Sequence, residues 1–201
     1  MNEQFELNAR GCALARSLED ALDDLRLEVF DVAGAGRIYD FGVKAEGGLN
    51  AGIVLAEACL GDLGEVTVQQ GAIGEIDWPF VIVTTDQPVA ACLLSQYAGW
   101  QISVGDFFGM GSGPVRAAAA REPLFEKLGY REKTDEVAGV LETAGLPDLA
   151  VFETIAEKCG VEPSAVDLLV APTSSQAGNV QVVARSAETA LHKLFELGFD
   201  V

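Results

Sequence analysis

Arg185 and Glu188 stand three residues apart at the head of a helix-patterned segment, a spacing that puts a guanidinium and a carboxylate on one face. Ser186 is a natural N-cap, which would place Glu188 in the first turn. There the positive helix end and the nearby Arg185 would both favour the ionised carboxyl, which suits a base better than an acid. The ordinary alternative is a solvated surface pair worth a few tenths of a kcal/mol. Ahead of the pair, Thr173, Ser174, Ser175, Gln176 and Asn179 crowd hydrogen-bonding groups into one turn. Such residues also bond their own backbone in turns that bind nothing.

A second stretch with chemical potential is the glycine-rich run Gly109-Met110-Gly111-Ser112-Gly113-Pro114. It fits neither a phosphate loop, since no Gly-Lys-Ser/Thr follows, nor a nucleophile elbow, since Met110 sits where the elbow needs glycine. As a loop from Phe107 to Pro114 ahead of a helix, it would offer backbone N–H groups and the Ser112 hydroxyl to an anion. Gly34-Ala35-Gly36 lacks the third glycine of a dinucleotide fingerprint, because Tyr39 occupies that place.

The elements that must position these residues follow from periodicity. Leu7, Leu14, Leu18, Leu22 and Leu25 predict an amphipathic helix over residues 3–25, and residues 49–60 a largely apolar one. Strands are predicted at 27–32, 38–43, 65–69, 80–84, 100–104, 137–141, 166–170 and 179–184. The strand at 80–84 is apolar throughout and is expected to be central. Further helices are predicted at 88–98, from Val115 onward, at 149–158 and after Ser186. In the last, Ala187, Ala190, Leu191, Leu194 and Leu197 would form the buried stripe. Alternating strands and helices indicate an α/β protein. The polar segment 122–134 suggests a boundary between two lobes, residues 1–121 and 122–201.

Composition narrows the function. The 201 residues carry a formal net charge of −18, which argues against nucleic acid, because phosphate contact needs a basic face. The apolar share of 49% describes a globular chain, and no apolar run is long enough for a membrane span. The start, MNEQFELNARG, is acidic where a signal peptide would be basic, so the expected location is the cytoplasm. Cys12, Cys59, Cys92 and Cys159 lie far apart and His192 is the single histidine, a pattern that argues against a metal site.

Several words of this sequence resemble one family. They are Ser95-Gln96-Tyr97-Ala98-Gly99-Trp100, the Gly109–Pro114 run, Ala171-Pro172-Thr173, Gly178, Arg185, Glu188-Thr189-Ala190 and His192-Lys193, in an order similar to that of methenyltetrahydromethanopterin cyclohydrolases. The resemblance implies a cytosolic homotrimer of one-carbon metabolism, an α/β protein with two lobes of mixed sheets flanked by helices around a deep cleft that holds the pterin, and neither metal nor cofactor. It implies reversible hydrolysis of a methenyl to a formyl pterin, Glu188 activating the water and Arg185 positioning it. The substrate-binding set is then expected among Ser95, Gln96, Gly111, Ser112, Gly113, Thr173 and Ser174, with Arg116 as a further donor. Because chains of that family run longer, the second lobe is expected to be incomplete at its C-terminal end. A catalytically silent pterin-binding or scaffold protein is the alternative.

Overall fold

Why the chain layers as it does is clearest in the segment Val-Asp-Leu-Leu-Val-Ala at 166–171, buried at every position. Only a strand covered on both faces can carry so continuous a run. The computed structural model describes residues 5–201, so the expected helix start at Glu3 lies outside the described residues.

In chain order, α1 (Leu7–Ser17) leads through a 3-10 turn to α2 (Leu22–Leu25). The predicted amphipathic helix is thus broken into three pieces. Strands β1 (Glu28–Asp31) and β2 (Arg37–Asp40) form a hairpin, followed by α3 (Leu49–Cys59). Next come β3 (Glu65–Ile73), β4 (Ile76–Thr84) and a π-helix, Val89–Gln96. Strands β5 (Trp100–Val104) and β6 (Phe107–Ser112) precede α4 (Val115–Ala119) and α5 (Pro123–Leu128). The chain closes with β7 (Val137–Glu142), α6 (Leu149–Cys159), β8 (Val166–Ala171), α7 (Gln176–Ala184) and α8 (Ser186–Glu196).

Six strands make one mixed sheet in the order β1-β2-β8-β7-β6-β5, with β2, β8 and β7 parallel to one another. The segments expected as lobes interleave in it, since β7 and β8 lie between β2 and β6. The twofold period of a strand sends alternate residues to opposite faces. Val166, Leu168 and Val170 of β8 therefore pack with Phe152 and Ile155 of α6, while Leu169 and Ala171 pack with Leu55 of α3 and Ala177 of α7. Helices α3 and α7 approach closely through Gly52, where an added Cβ would fall 2.7 Å from Val180 Cβ.

Three expectations are corrected here. The strand at 80–84 is not central: β4 pairs only with β3 in a separate two-stranded ribbon. That ribbon shows Ile73, Ile76, Trp78, Phe80 and Ile82 to solvent. The glycine-rich loop is largely strand β6, paired with β5 on one edge and β7 on the other. The strand at 179–184 is the helix α7; the Ser175 hydroxyl caps it by accepting from Gly178 N at 3.0 Å, and this local bond outweighs the β-propensity of its valines.

Candidate functional site

The carboxyl ends of parallel strands in an open sheet are where α/β proteins gather their ligand groups. Here β7 ends at Glu142 and β8 at Ala171, and the loops beyond them form a cleft of about 500 Å³. Its lining includes Phe107, Met110, Glu142, Thr143, Thr173 and Ser174. Thr173 and Ser174 are exposed at the lip, with hydroxyls free for a ligand.

Glu142 is the carboxylate that Arg185 meets in this structure. The Arg185 Nη2 also donates to Gln181 Oε1 at 3.0 Å, and Gln181 Nε2 donates to Cys59 Sγ at 3.1 Å. Cys59 in turn lies 3.4 Å from Ser112 Oγ. A polar chain thus runs from the cleft floor through α7 and α3 to β6. The expected pair of Arg185 with Glu188 is not formed. Residue 185 is the hinge between α7 and α8, and its backbone N–H donates to Gln181. Ser186 makes no capping bond, although Glu188 does lie in the first turn of α8.

What holds Glu188 is its own helix one turn on. His192 Nδ1 lies 3.1 Å from Glu188 Oε1. The imidazole packs edge-on against Tyr97, with ring centroids 4.3 Å apart at 81°. Behind Tyr97 stands the Arg116 guanidinium, 5.0 Å from the ring centroid. Arg116 is fully buried; it donates to Glu122 Oε1 at 2.8 Å and to the Ser95 and Leu93 carbonyls at 3.0 and 3.2 Å. Tyr97, Glu188, His192, Lys193 and Glu196 line a second cleft of about 230 Å³.

Glu188 is 1% exposed and is the one buried residue of α8. Leu191 is half-buried, and the remaining members of the predicted stripe, Ala187, Ala190, Leu194 and Leu197, are exposed. Burial raises the Glu188 carboxyl above its ordinary range, against the opposing pull of His192, Arg116 and Arg185. The expectation of a carboxyl pushed toward ionisation is overturned: desolvation wins.

Ser95 and the Gly111–Gly113 stretch of the predicted set are structural in their visible bonds. Ser95 Oγ donates to the Cys59 carbonyl at 2.7 Å. Gly111 and Ser112 sit in β6, and Gly113, at φ 84°, donates its N–H to the Ser95 carbonyl, so this backbone is not open to an anion. Gln96 differs. It ends the π-helix, a rare conformation frequent at functional sites, and it is fully buried with both amide atoms lacking a partner among the described residues. Arg116 Nη2 and Arg185 Nε are likewise unpartnered. Orphaned buried polar atoms at such density mark a place where a ligand or water completes the bonds. Sequence reasoning missed Glu142, Gln181 and the role of His192. Glu142, at the carboxyl end of a parallel strand, was within reach of the general rule for α/β sheets.

The sequence model of the family described as Cyclohydrolase (MCH) matches residues 6–201. The chain belongs to that family. It is 44% identical over 198 residues to the methenyltetrahydromethanopterin cyclohydrolase of Methanosarcina mazei, a match covering 98% of this chain and 62% of the relative. With the enzyme of that name from Xanthobacter autotrophicus it shares 49% identity over 199 residues, covering 98% of this chain and 59% of the relative. The protein of the same name from Methylobacterium sp. strain 4-46 is 45% identical over 201 residues, 61% of its length. The chain thus spans about three fifths of these family members.

Proposed function

We propose that this chain belongs to a cyclohydrolase of one-carbon metabolism that interconverts methenyl- and formyl-tetrahydromethanopterin. The observation that carries the proposal is Glu188: in a chain of this family, a carboxylate buried to 1% exposure, hydrogen-bonded to His192 and within the fields of Arg116 and Arg185. Burial makes it a stronger base than a solvated carboxylate, nearer to the working pH that general-base catalysis favours.

The methenyl carbon lies between two nitrogens and shares their positive charge. Water attacks it while Glu188 takes a water proton. The neutral adduct then opens at one carbon–nitrogen bond, the nitrogen gains a proton, and a formyl group remains. The Glu188 charge also favours the cationic carbon electrostatically. Arg185, held by Glu142 and Gln181, orients the water. No electrons change hands, so the reaction as proposed calls for no redox cofactor, and among the described residues no cluster of three or more His, Cys, Asp or Glu is placed to hold a metal.

Phe107 and Met110 in the larger cleft suit the flat face of a pterin, and Thr173 and Ser174 its polar edge. Gln96, with its unpartnered amide, is the remaining candidate donor. The chain acts in the cytoplasm in this reading; no helix among the described residues is long and apolar enough to cross a membrane. The apolar face of the β3–β4 ribbon supports a homo-oligomer, the trimer expected above.

The test follows the methenyl absorbance band. Glu188→Gln should cut its decay by about 10³-fold, at the scale of a lost general base, with a binding-induced shift intact. Undiminished decay in that variant ends the assignment. A shift without decay in the unchanged chain would leave it a pterin-binding protein only.

A further inference from the structure

Hydrolysis of a methenyl cation releases a proton, and this bears on the one histidine. The cation plus water gives the neutral formyl compound plus H⁺. In the first step one O–H bond of water breaks, a C–O bond forms, and Glu188 holds the proton. In the second the C–N electron pair returns to nitrogen, which takes the hydroxyl proton of the adduct. One proton per turnover is left on a carboxyl that is 1% exposed and cannot hand it directly to bulk water.

We propose that His192 carries this proton out, along a relay on one face of α8 formed by Glu188, His192 and Glu196. This rests on the cyclohydrolase reading. The three side chains follow one another at i, i+4 and i+8, neighbours on a helix surface. Glu188 Oε1 is 3.1 Å from His192 Nδ1, and His192 Nε2 is 3.9 Å from Glu196 Oε1, a span that one water bridges. Exposure rises in the same order: 1% at Glu188, 16% at the His192 side chain and 53% at the Glu196 side chain. Nδ1 accepts the proton and the imidazolium releases one to solvent through Nε2, after which the partly exposed ring re-equilibrates its tautomer with water.

Tyr97, packed edge-on, fixes the ring plane and leaves both nitrogens on the line between the carboxylates. The groups facing this pair come from several elements. Arg116 of α4 and Arg185 at the α7–α8 hinge are cations near Glu188, Cys92 of the π-helix feels its charge, and Lys193 and Glu196 share the outer cleft. His192 is thus a positioning and relay residue, acting through Glu188.

Two measurements on the full chain decide it. Because His192 is the only histidine, its imidazole nitrogens are read by ¹⁵N NMR without assignment. The relay predicts that the Nδ1 resonance, 3.1 Å from Glu188, moves in Glu188→Gln, where the carboxyl that hands over the proton is replaced by an amide. Superimposable ¹⁵N spectra of the two proteins overturn the relay, whether or not the chain turns over. In turnover, His192→Ala should lose about 100-fold with KM little changed, and added imidazole should restore decay of the methenyl band in proportion to its concentration. Indifference of His192→Ala to imidazole, or a full rate without it, also overturns the proposal. If instead Glu188→Gln turns over at the unmodified rate, the cyclohydrolase site is misassigned, and the NMR comparison still judges the pair.

Discussion

The seam where the π-helix meets α8 and the β3–β4 ribbon invert the usual rule of apolar inside and polar outside, in opposite senses. The seam buries Gln96, Arg116 and Glu188, whereas the ribbon displays Ile73, Ile76, Trp78, Phe80 and Ile82. Each departure carries a cost. Burying charge forfeits hydration, and exposing hydrocarbon forfeits the hydrophobic gain. The seam offsets its cost with fixed partners: Glu122 for Arg116, Glu142 for Arg185, His192 for Glu188. Some atoms are left over, on Gln96, Arg116 and Arg185. The ribbon packs Val66, Val81 and Val83 of its other face against the core, but its outer face has no cover among the described residues. A buried polar seam with vacant donors is suited to a small polar ligand, and an apolar face without cover is suited to a protein surface.

The contrast can be broken from either side. The largest expected effect is Glu122→Ala, which leaves the fully buried Arg116 guanidinium without its carboxylate; unfolding by denaturant should show a loss of about 3–5 kcal/mol. Full stability in that variant would mean the seam does not depend on its ion pairs. Glu142→Ala frees Arg185 and should cost about 2 kcal/mol. It should also slow methenyl turnover by about 100-fold through misplacement of the guanidinium, and a normal rate would detach Arg185 from catalysis.

A pH series is the next and gentler probe. Burial raises the carboxyls of Glu188 and Glu132, so the folded chain binds these protons more tightly than the unfolded chain does. Their contribution to stability is therefore present at low pH and is lost as pH rises through the folded-state values. Denaturation midpoints should climb as pH falls from 7 toward 5, and Glu132→Gln should flatten part of that climb. A midpoint that falls over this range would reverse the sign assigned to burial. The smallest effect on folding is expected at the ribbon. Trp78→Ser removes a side chain that is 55% exposed and should shift stability by less than about 0.5 kcal/mol. Sedimentation should nevertheless show weaker self-association, and an unchanged assembly would remove the ribbon from the interface.

Local signals were legible in the residues alone. The α/β class, the run that became β8, the helix at 149–158 and the singling out of Arg185 and Glu188 came from periodicity and charge, properties of neighbours along the chain. The strand predicted at 179–184 failed because its valines read as β-formers while the Ser175 cap and the fit against Gly52 decided for helix. The apolar strand at 80–84 failed because pattern reports hydrophobicity and not what covers it.

What only the tertiary structure decided is who meets whom. Spacing allowed Arg185 to reach Glu188, yet β7 delivered Glu142 to that guanidinium from more than forty positions away, and Glu188 was left to His192 and to burial. In α8 Leu194 and Leu197 point outward and Glu188 inward, because the π-helix with its Tyr97 corner packs against the polar side of the helix. Sequence determines which faces a helix owns. Which face is desolvated, and so which carboxyl becomes the stronger base, depends on elements packed from elsewhere in the chain.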